Sequence, residues 1–226
     1  MDPRPPFPPG FQLILASQSP RRHSLLRDIG VPFTVVASEA EEVLEGGPVA
    51  VLAEANALAK LRGAVLPADL IPGVFVLGTD TLVCADDRVM GKPGSAREAE
   101  EMLTALSGRT HQVVSGVALG RTAAPASGGT PSADGARSKS ADIKETRVAS
   151  AVTDVTFLPL EPVDIDSYIA SGEWRGKAGA YAIQGLAGSF VSEVRGEYSN
   201  VVGLPLCLLG RMFRESGFDL LRRTWL

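Results

Sequence analysis

Charged and hydroxyl side chains interrupt otherwise apolar segments of this 226-residue sequence at a few places. Asp80 ends an apolar run, Glu42 lies in an acidic segment, and Lys92 stands between a glycine and a proline. Ser17 and Arg22 follow the first apolar run. In phosphate chemistry, carboxylates hold a metal ion that bridges phosphate oxygens, and Arg or Lys side chains neutralise the developing charge. This combination predicts metal-assisted chemistry on a phosphate chain.

Asp80 is the sharpest single signal in this set. A carboxylate at the end of so apolar a strand is costly to bury unpaired, or its pKa shifts. The alternative is a capping aspartate that accepts hydrogen bonds from nearby backbone N–H groups. Taken alone, Lys92 is typical of a solvated lysine in a turn. Only its combination with the other residues indicates a functional role.

The stretch from Ser17 to Arg22 predicts a strand, a tight loop and the start of a helix. Ser19 suits the N-cap and Pro20 the first helical position. A helix start presents free N–H groups and the positive end of the helix dipole. With Ser17, Ser19, Arg21 and Arg22 added, this stretch becomes a candidate pocket for a polyanion, foremost a phosphate chain. The alternative is a well-capped helix with two solvated arginines.

Charge and composition restrict the class of partner. The 22 basic and 26 acidic residues give a net charge of −4, which argues against bulk nucleic-acid binding but allows a small basic pocket for a nucleotide. Only two histidines are present, so a multi-histidine metal site is excluded and a metal would have oxygen ligands, which favours Mg²⁺ or Mn²⁺. The two cysteines form no CxxC pair, which indicates a reducing compartment.

No targeting or membrane segment is apparent. No stretch approaches the roughly 20 consecutive apolar residues of a membrane span. Residues 1–10 are rich in proline and lack the apolar core of a signal peptide. We therefore expect a soluble, cytoplasmic protein without a membrane partner.

The apolar periodicity predicts strands and helices that alternate in the first half of the chain and strands that cluster in the second. Strands are predicted at 11–16, 31–37, 75–83, 111–119, 147–158, 180–183 and 189–194. Helices are predicted at 20–29, 49–65, 96–106, 164–171 and 205–213. Residues 1–10 are interpreted as a flexible lead-in and about 120–142 as a flexible insertion at the tip of a hairpin, within one domain over 11–226. This order predicts an α/β mix with a two-lobed sheet rather than a doubly wound one.

Several other chemistries fail simple motif tests. The segment 172–178 (GEWRGKA) has three residues between its glycines where a phosphate loop needs four, and Ala178 replaces the metal-binding hydroxyl. No GxSxG is present, so the α/β-hydrolase elbow is absent. No GxGxxG follows the first strand, so a dinucleotide site is unsupported.

The candidate residues belong to short motifs that occur in a characteristic order. The motifs are 15–22 (LASQSPRR), 41–42 (EE), 77–81 (LGTDT), 91–93 (GKP), 106–111 (LSGRTH), 177–185 (KAGAYAIQG) and 200–205 (NVVGLP). Each motif is weak alone, but the ordered set is specific. With this set, the chain resembles the Maf family of nucleoside triphosphate pyrophosphatases over residues 13 to about 206, apart from the insertion.

The resemblance implies an ITPase-like α/β fold, in which an elongated mixed sheet forms two lobes around a central cleft. It also implies hydrolysis of a nucleoside triphosphate between the α and β phosphates, which yields a monophosphate and pyrophosphate. A divalent cation and a homodimer are expected on the same grounds. The family is associated with the removal of unwanted nucleotides and with arrest of cell division.

The resemblance also implies roles for individual residues. Asp80 matches the proton acceptor that activates the attacking water, and Glu42 matches the acidic residue that holds the metal together with Asp80. The residues expected to contact the phosphates, from the motifs and from the helix start, are Ser17, Ser19, Arg22, Lys92 and Lys177.

Three positions concern the choice of base. The branch of the family that prefers dTTP and UTP resembles this chain at Arg21, Thr81 and Gln184. The branch that prefers 7-methyl-GTP has an aromatic residue, glutamine and glutamate at those positions. A glutamine amide both donates and accepts hydrogen bonds, which suits a pyrimidine edge. The chain therefore resembles the dTTP/UTP branch, with modified pyrimidine nucleotides as further candidate substrates.

Two alternatives and one departure stay open. The alternatives are a pyrophosphatase with another or broader base preference, such as 7-methyl-GTP, and a low-turnover nucleotide-binding regulator of cell division. The departure is Asn56, which stands where the family often has a lysine. Lys60 lies one helical turn later on the same helix face and is the candidate replacement.

Overall fold

The structure is a computed structural model that describes residues 5–67, 70–123 and 143–226. Its strands are β1 (Leu13–Leu15), β2 (Thr34–Val35), β3 (Phe75–Ala85), β4 (Arg88–Met90), β5 (Thr110–Thr122), β6 (Ile143–Phe157), β7 (Val191–Arg195), β8 (Phe218–Asp219) and β9 (Thr224–Trp225). Its α-helices are α1 (Pro20–Asp28), α2 (Val49–Arg62), α3 (Ala96–Leu106), α4 (Pro162–Ser171), α5 (Tyr198–Val202) and α6 (Leu206–Glu215). Within the described ranges, no helix is both long and apolar enough to span a bilayer.

A mixed sheet organises the fold, as predicted. Its strand order is β2-β1-β3-β5-β6-β7, and β4 pairs with β3 outside this path. β1 runs parallel to β2 and β3, whereas the pairs β3–β4, β3–β5, β5–β6 and β6–β7 are antiparallel. β8 and β9 form a separate two-stranded sheet.

Two apolar cores lie at opposite ends of the long strand β3. Phe75 and Leu77 belong to the core that also contains residues of α1 and α6, and Val83 belongs to the core that contains residues of α3 and α4. These odd-numbered residues share one face of the strand, because side chains alternate between faces. Thr79 and Thr81 occupy the same face between the two cores. The predicted two-lobed arrangement is thereby confirmed.

Helix α2 covers the opposite face of the sheet at very short range. An added Cβ at Gly78 would lie 2.3 Å from the carbonyl oxygen of Ala57, and one at Gly116 would lie 2.0 Å from that of Ala53. Larger residues would therefore push the helix away from the strands. The two glycines bring the polar side chains of α2 within reach of Asp80, which pairs with Gly116 across β3 and β5.

Three predicted features differ from the structure. Residues 180–183 are not a strand, because Ala178–Ala180 forms a 3₁₀ turn in which Gly179 and Ala180 have φ values of 64° and 62°. Residues 120–122 belong to β5 rather than to the insertion; the rest of the predicted insertion lies mostly outside the described residues, which resume at Ile143. Ser19 occupies the N-cap position of α1 but makes no capping side-chain bond.

The N-terminal segment is described from residue 5 onward. The ring of Phe7 packs against that of Phe11, with centroids 4.6 Å apart, and next to Phe218 at 6.1 Å. Residues 1–4 of the predicted lead-in lie outside the described residues.

Candidate active site

A cavity of about 530 Å³ opens at the edge of β3. The last residue of β3 that pairs with β1 is Leu77, and the first that pairs with β4 is Val83. The segment between them has β5 on one side and the cavity on the other. The structure places every predicted site residue on the cavity wall: Ser17, Ser19, Arg21, Arg22, Glu42, Asp80, Thr81, Lys92, Lys177 and Gln184.

Two carboxylates and two lysines form a cluster on one wall. Lys60 Nζ donates to Asp80 Oδ1 over 2.5 Å and to Glu42 Oε1 over 2.7 Å. Lys92 Nζ also donates to Glu42 Oε1. Burial acts to raise the pKa of Glu42, but the bonds from Lys60 and Lys92 outweigh it and lower that pKa to about 2. Glu42 is therefore a carboxylate at neutral pH.

Asn56 fixes the second oxygen of Asp80. Its amide nitrogen donates to Asp80 Oδ2 over 2.9 Å and to the carbonyl oxygen of Val43, and its amide oxygen accepts from the Val43 N–H. Asn56 is 1 % exposed and Asp80 is 2 % exposed. The segment that carries Glu42 is thus joined to the strand that carries Asp80 through one buried amide.

Arg22 forms the wall contributed by α1. Its guanidinium donates to the Gly203 carbonyl oxygen, Ser17 Oγ and Thr81 Oγ1 over 2.8, 2.9 and 3.1 Å. The side chain is buried, and burial lowers its pKa, an effect that Asp80 partly offsets. A guanidinium has more N–H donors than these bonds use, so Arg22 retains capacity for a phosphate oxygen.

Ser17 and Thr81 orient Arg22. Ser17 Oγ accepts from both Arg22 and the backbone N–H of Ser19, over 2.9 and 3.3 Å. Thr81 Oγ1 accepts from Arg22 and lies 2.8 Å from Ser115 Oγ. The hydroxyl of Ser17, from the predicted phosphate-binding stretch, and that of Thr81, from β3, thus set the direction of the Arg22 side chain.

Arg21 and Lys177 add two further basic side chains to the cavity wall. Arg21 Nε donates to the Val202 carbonyl oxygen over 3.2 Å, and burial lowers the pKa of Arg21. Lys177 Nζ donates to the Arg175 carbonyl oxygen, and its pKa is lowered by burial and by Arg21. Gln184 is exposed on this wall. Six basic side chains thus line the cavity, whereas its carboxylates are confined to Glu42 and Asp80.

Sequence reasoning missed several residues of the cavity. Arg175 and Tyr181 line it, and the Tyr181 hydroxyl lies 2.9 Å from Nε2 of the buried His111. His111 belongs to the motif 106–111 and Tyr181 to the motif 177–185, so these motifs could have indicated both residues. Ser115 lies on β5 without a motif of its own, and only the pairing of Thr81 with Ser115 across the strands brings it to the site.

The donor set is compatible with a hard divalent cation. The described residues contain no group of three or more His, Cys, Asp or Glu that could hold a metal. Mg²⁺ is usually bound through one or two carboxylates, with waters and substrate phosphates as its other ligands. Glu42 and Asp80 provide that pair, and the ammonium of Lys60 already places a positive charge between them.

Comparison with known proteins gives sequence matches over most of the chain and a weak structural match. The family model described as Maf-like protein matches residues 12–216. The dTTP/UTP pyrophosphatase of Symbiobacterium thermophilum is 42% identical over 210 residues, covering 92% of this chain and 96% of the relative. The dTTP/UTP pyrophosphatase of Moorella thermoacetica is 41% identical, covering 94% and 99%. The solved structure of the Staphylococcus aureus Ham1 protein matches with a TM-score of 0.32 at 15% identity, covering 65% of this chain and 71% of that one.

Proposed function

The chain belongs to the Maf family, and we propose that it is a nucleoside triphosphate pyrophosphatase that hydrolyses dTTP and UTP to the monophosphate and pyrophosphate. The observation that carries this proposal is the position of Asp80, a buried carboxylate on a cavity whose other wall residues include Arg22 and Lys92. Relatives at about 40% identity that bear the name dTTP/UTP pyrophosphatase support the choice of substrates.

A divalent cation, Mg²⁺ or Mn²⁺, is part of the proposal, with Glu42 and Asp80 as its protein ligands. When bound, such a cation polarises phosphate oxygens and neutralises charge that develops on them. The charge on the triphosphate is also met by Arg22, Lys92 and Lys177, because guanidinium and ammonium groups near transferring phosphoryl groups stabilise the transition state.

Asp80 is the proposed general base. A water attacks the α-phosphorus, its proton passes to the carboxylate of Asp80, and the bond to the bridging oxygen breaks with the electron pair leaving on pyrophosphate. Asn56 keeps Oδ2 of Asp80 in a fixed direction through the attack. Ser17 and Thr81 do the same for the guanidinium of Arg22.

Base selection is proposed to rest on Arg21 and Gln184, which line the cavity. The amide of Gln184 can donate to a pyrimidine carbonyl and accept from the ring N–H of uracil or thymine. The hydroxyl of Thr81 is bonded to Arg22 and Ser115, so we infer that Thr81 acts on selectivity by positioning Arg22.

The test is a substrate panel with a matched pair of variants. The protein is incubated with Mg²⁺ or Mn²⁺ and dTTP, UTP, dCTP, dATP or 7-methyl-GTP, and pyrophosphate and monophosphate are measured. We expect dTTP and UTP to be the best substrates, and Asp80→Asn to lose at least about 100-fold in kcat. Asp86→Asn, which removes an exposed carboxylate at the far end of β3, should retain activity.

The panel also separates the alternatives. Equal inactivity of the wild type and Asp80→Asn, with nucleotide still bound, would favour the low-turnover regulator. A preference for 7-methyl-GTP would overturn the base assignment but leave the reaction class intact.

We also propose a cytoplasmic location and a homodimeric assembly. Cys84 and Cys207 are free thiols, which supports a reducing, cytoplasmic location. A homodimer is proposed from the family, and sedimentation or size-exclusion chromatography with light scattering tests it directly.

A further inference from the structure

Lys60 holds the two carboxylates of the cavity together. Its ammonium donates to Asp80 Oδ1 over 2.5 Å and to Glu42 Oε1 over 2.7 Å, while the side chain is only 13% exposed. Lys92, by contrast, bonds to Glu42 and is 49% exposed. One cationic group therefore lies between one oxygen of Asp80 and one of Glu42, in the place from which a cation contacts both.

A lysine ammonium in this place can move, and a divalent cation can compete with it for the same position. It is a compact point charge on a flexible four-carbon stem, so it can leave the carboxylates without unfolding the helix that carries it. A divalent cation that takes the position of the ammonium, between Asp80 Oδ1 and Glu42 Oε1, must displace it, because the two cations cannot occupy the same place. Binding of the cation therefore includes the free energy of removing Lys60.

Asp80 has a second side-chain contact that does not involve Lys60. Asn56, one helical turn before Lys60 on α2, holds Oδ2 of Asp80, whereas Lys60 holds Oδ1. The amide cannot ionise and bonds Val43 through both its donor and acceptor ends. The fixed contact and the exchangeable contact to Asp80 thus come from different residues.

We propose that Lys60 is a tethered counter-ion that occupies the cation position between Glu42 and Asp80 and moves to the triphosphate when the cation and nucleotide enter together. The inference rests on the cation site of the proposed function. Phosphate oxygens offer the displaced ammonium new anionic partners, so displacement costs less in the presence of nucleotide than in its absence. Lys60 therefore keeps the cation affinity of the nucleotide-free protein low.

The experiment measures Mn²⁺ binding to the nucleotide-free protein, with free Mn²⁺ followed by electron paramagnetic resonance. The variants are Lys60→Gln, Lys60→Met, which keeps an unbranched chain, and Lys60→Arg, which keeps the charge. Lys177→Gln is the matched control, because it removes one positive charge from the same cavity without contact to either carboxylate. Circular dichroism and thermal unfolding establish that each variant is folded.

The expected result is Mn²⁺ affinity at least about tenfold higher in Lys60→Gln and Lys60→Met than in the wild type, because two adjacent carboxylates lose their shared counter-ion. Lys60→Arg should bind Mn²⁺ as weakly as the wild type, and Lys177→Gln should change the affinity less than about twofold. Mn²⁺ should also raise the melting temperature of Lys60→Gln more than that of the wild type.

Three results would overturn the inference: unchanged or weaker Mn²⁺ binding in the uncharged Lys60 variants, an equal gain in Lys177→Gln, or loss of folding in both uncharged variants that Mn²⁺ does not restore. Pyrophosphate release by the wild type is measured separately. If the wild type releases pyrophosphate but the uncharged Lys60 variants show no gain in Mn²⁺ affinity, the proposed function is retained and the counter-ion role is rejected. If the uncharged Lys60 variants gain Mn²⁺ affinity but the wild type releases no pyrophosphate, the counter-ion role is retained and the proposed function is rejected.

Discussion

The side-chain amide of Asn56 donates a hydrogen bond to Oδ2 of Asp80 over 2.9 Å. Both residues are almost completely buried, and the same amide binds the backbone N–H and carbonyl of Val43. A position where the family often has a lysine is thus occupied by a neutral group that fixes both the proposed base and the segment bearing Glu42.

Replacement of Asn56 by alanine should affect both stability and turnover. It leaves the Val43 backbone groups and Asp80 Oδ2 without their partner, which should cost about 1–3 kcal/mol in the free energy of unfolding. Because Asp80 is then less well oriented, kcat for dTTP should fall at least about tenfold while KM changes little.

The matched control is Thr122→Val, in a buried residue at the distal end of β5. Thr122 Oγ1 accepts from the Val74 N–H and donates to the Ile71 carbonyl oxygen. Thr122→Val should therefore lower stability, as measured by urea denaturation, but leave kcat unchanged. Equal losses of kcat in the two variants would show that Asn56 acts only through stability.

Replacement of Arg22 by lysine should damage the phosphate wall despite conserving charge. A lysine cannot reproduce the fork that donates to Gly203, Ser17 and Thr81 together. We expect a loss of about 2 kcal/mol or more in unfolding free energy and a fall of at least about tenfold in kcat/KM. Arg27→Lys, on the exposed face of α1, should leave both quantities near the wild-type values, and a wild-type kcat/KM in Arg22→Lys would argue against phosphate contact.

Gln184→Glu should shift the base preference. Unlike the glutamine amide, the glutamate carboxylate has no N–H to donate to a pyrimidine carbonyl. It accepts well from the N–H donors of a guanine edge. We expect kcat/KM for dTTP and UTP to fall at least about tenfold and the ratio of 7-methyl-GTP to dTTP hydrolysis to rise. Gln12→Glu, an exposed control at the start of β1, should leave the ratio unchanged; an unchanged ratio in Gln184→Glu would remove Gln184 from base selection.

Local patterns in the sequence predicted much of the fold. The periodicity that predicted a helix at 96–106 matches α3 because Met102, Leu103 and Leu106 bury one face of it. The long alternating segments matched β5 and β6, which pair antiparallel. Segments of this kind carry their own pattern of burial, so they are readable without knowledge of their partners.

The parts that could not be predicted depend on contacts between distant positions. The strand wrongly predicted at 180–183 directly follows Gly179, where an added Cβ would lie 2.8 Å from the side chain of Val83, so tertiary packing sets the turn there. Arg22 bonds to Gly203, which is 181 positions away, and Asn56 bonds to Val43. These bonds cannot be predicted from the spacing of residues within a motif. The motifs did, however, predict site residues that all line one cavity.

His111 should make the fold sensitive to mild acid. The imidazole is 2% exposed, its Nε2 lies 2.9 Å from the Tyr181 hydroxyl, and its buried Nδ1 has no hydrogen-bond partner among the described residues. Burial therefore penalises the charged ring and lowers its pKa from 6.5 to about 4. Because the unfolded chain takes up the proton at higher pH than the folded chain, stability falls as the pH drops from about 6.5 and levels off near pH 4. The full effect is about 3 kcal/mol at most.

The measurement is the free energy of unfolding in urea at pH 7 and pH 4.5 for the wild type and His111→Gln. The glutamine amide can still bond the Tyr181 hydroxyl but does not titrate, so the variant should lose less stability than the wild type over this interval, by about 2 kcal/mol. His23→Gln, which removes the other imidazole of the chain, should retain the acid sensitivity of the wild type. Carboxylate titration is common to all three proteins and cancels in the comparison. Parallel losses in the wild type and His111→Gln would show that the buried imidazole does not set the acid limit of the fold.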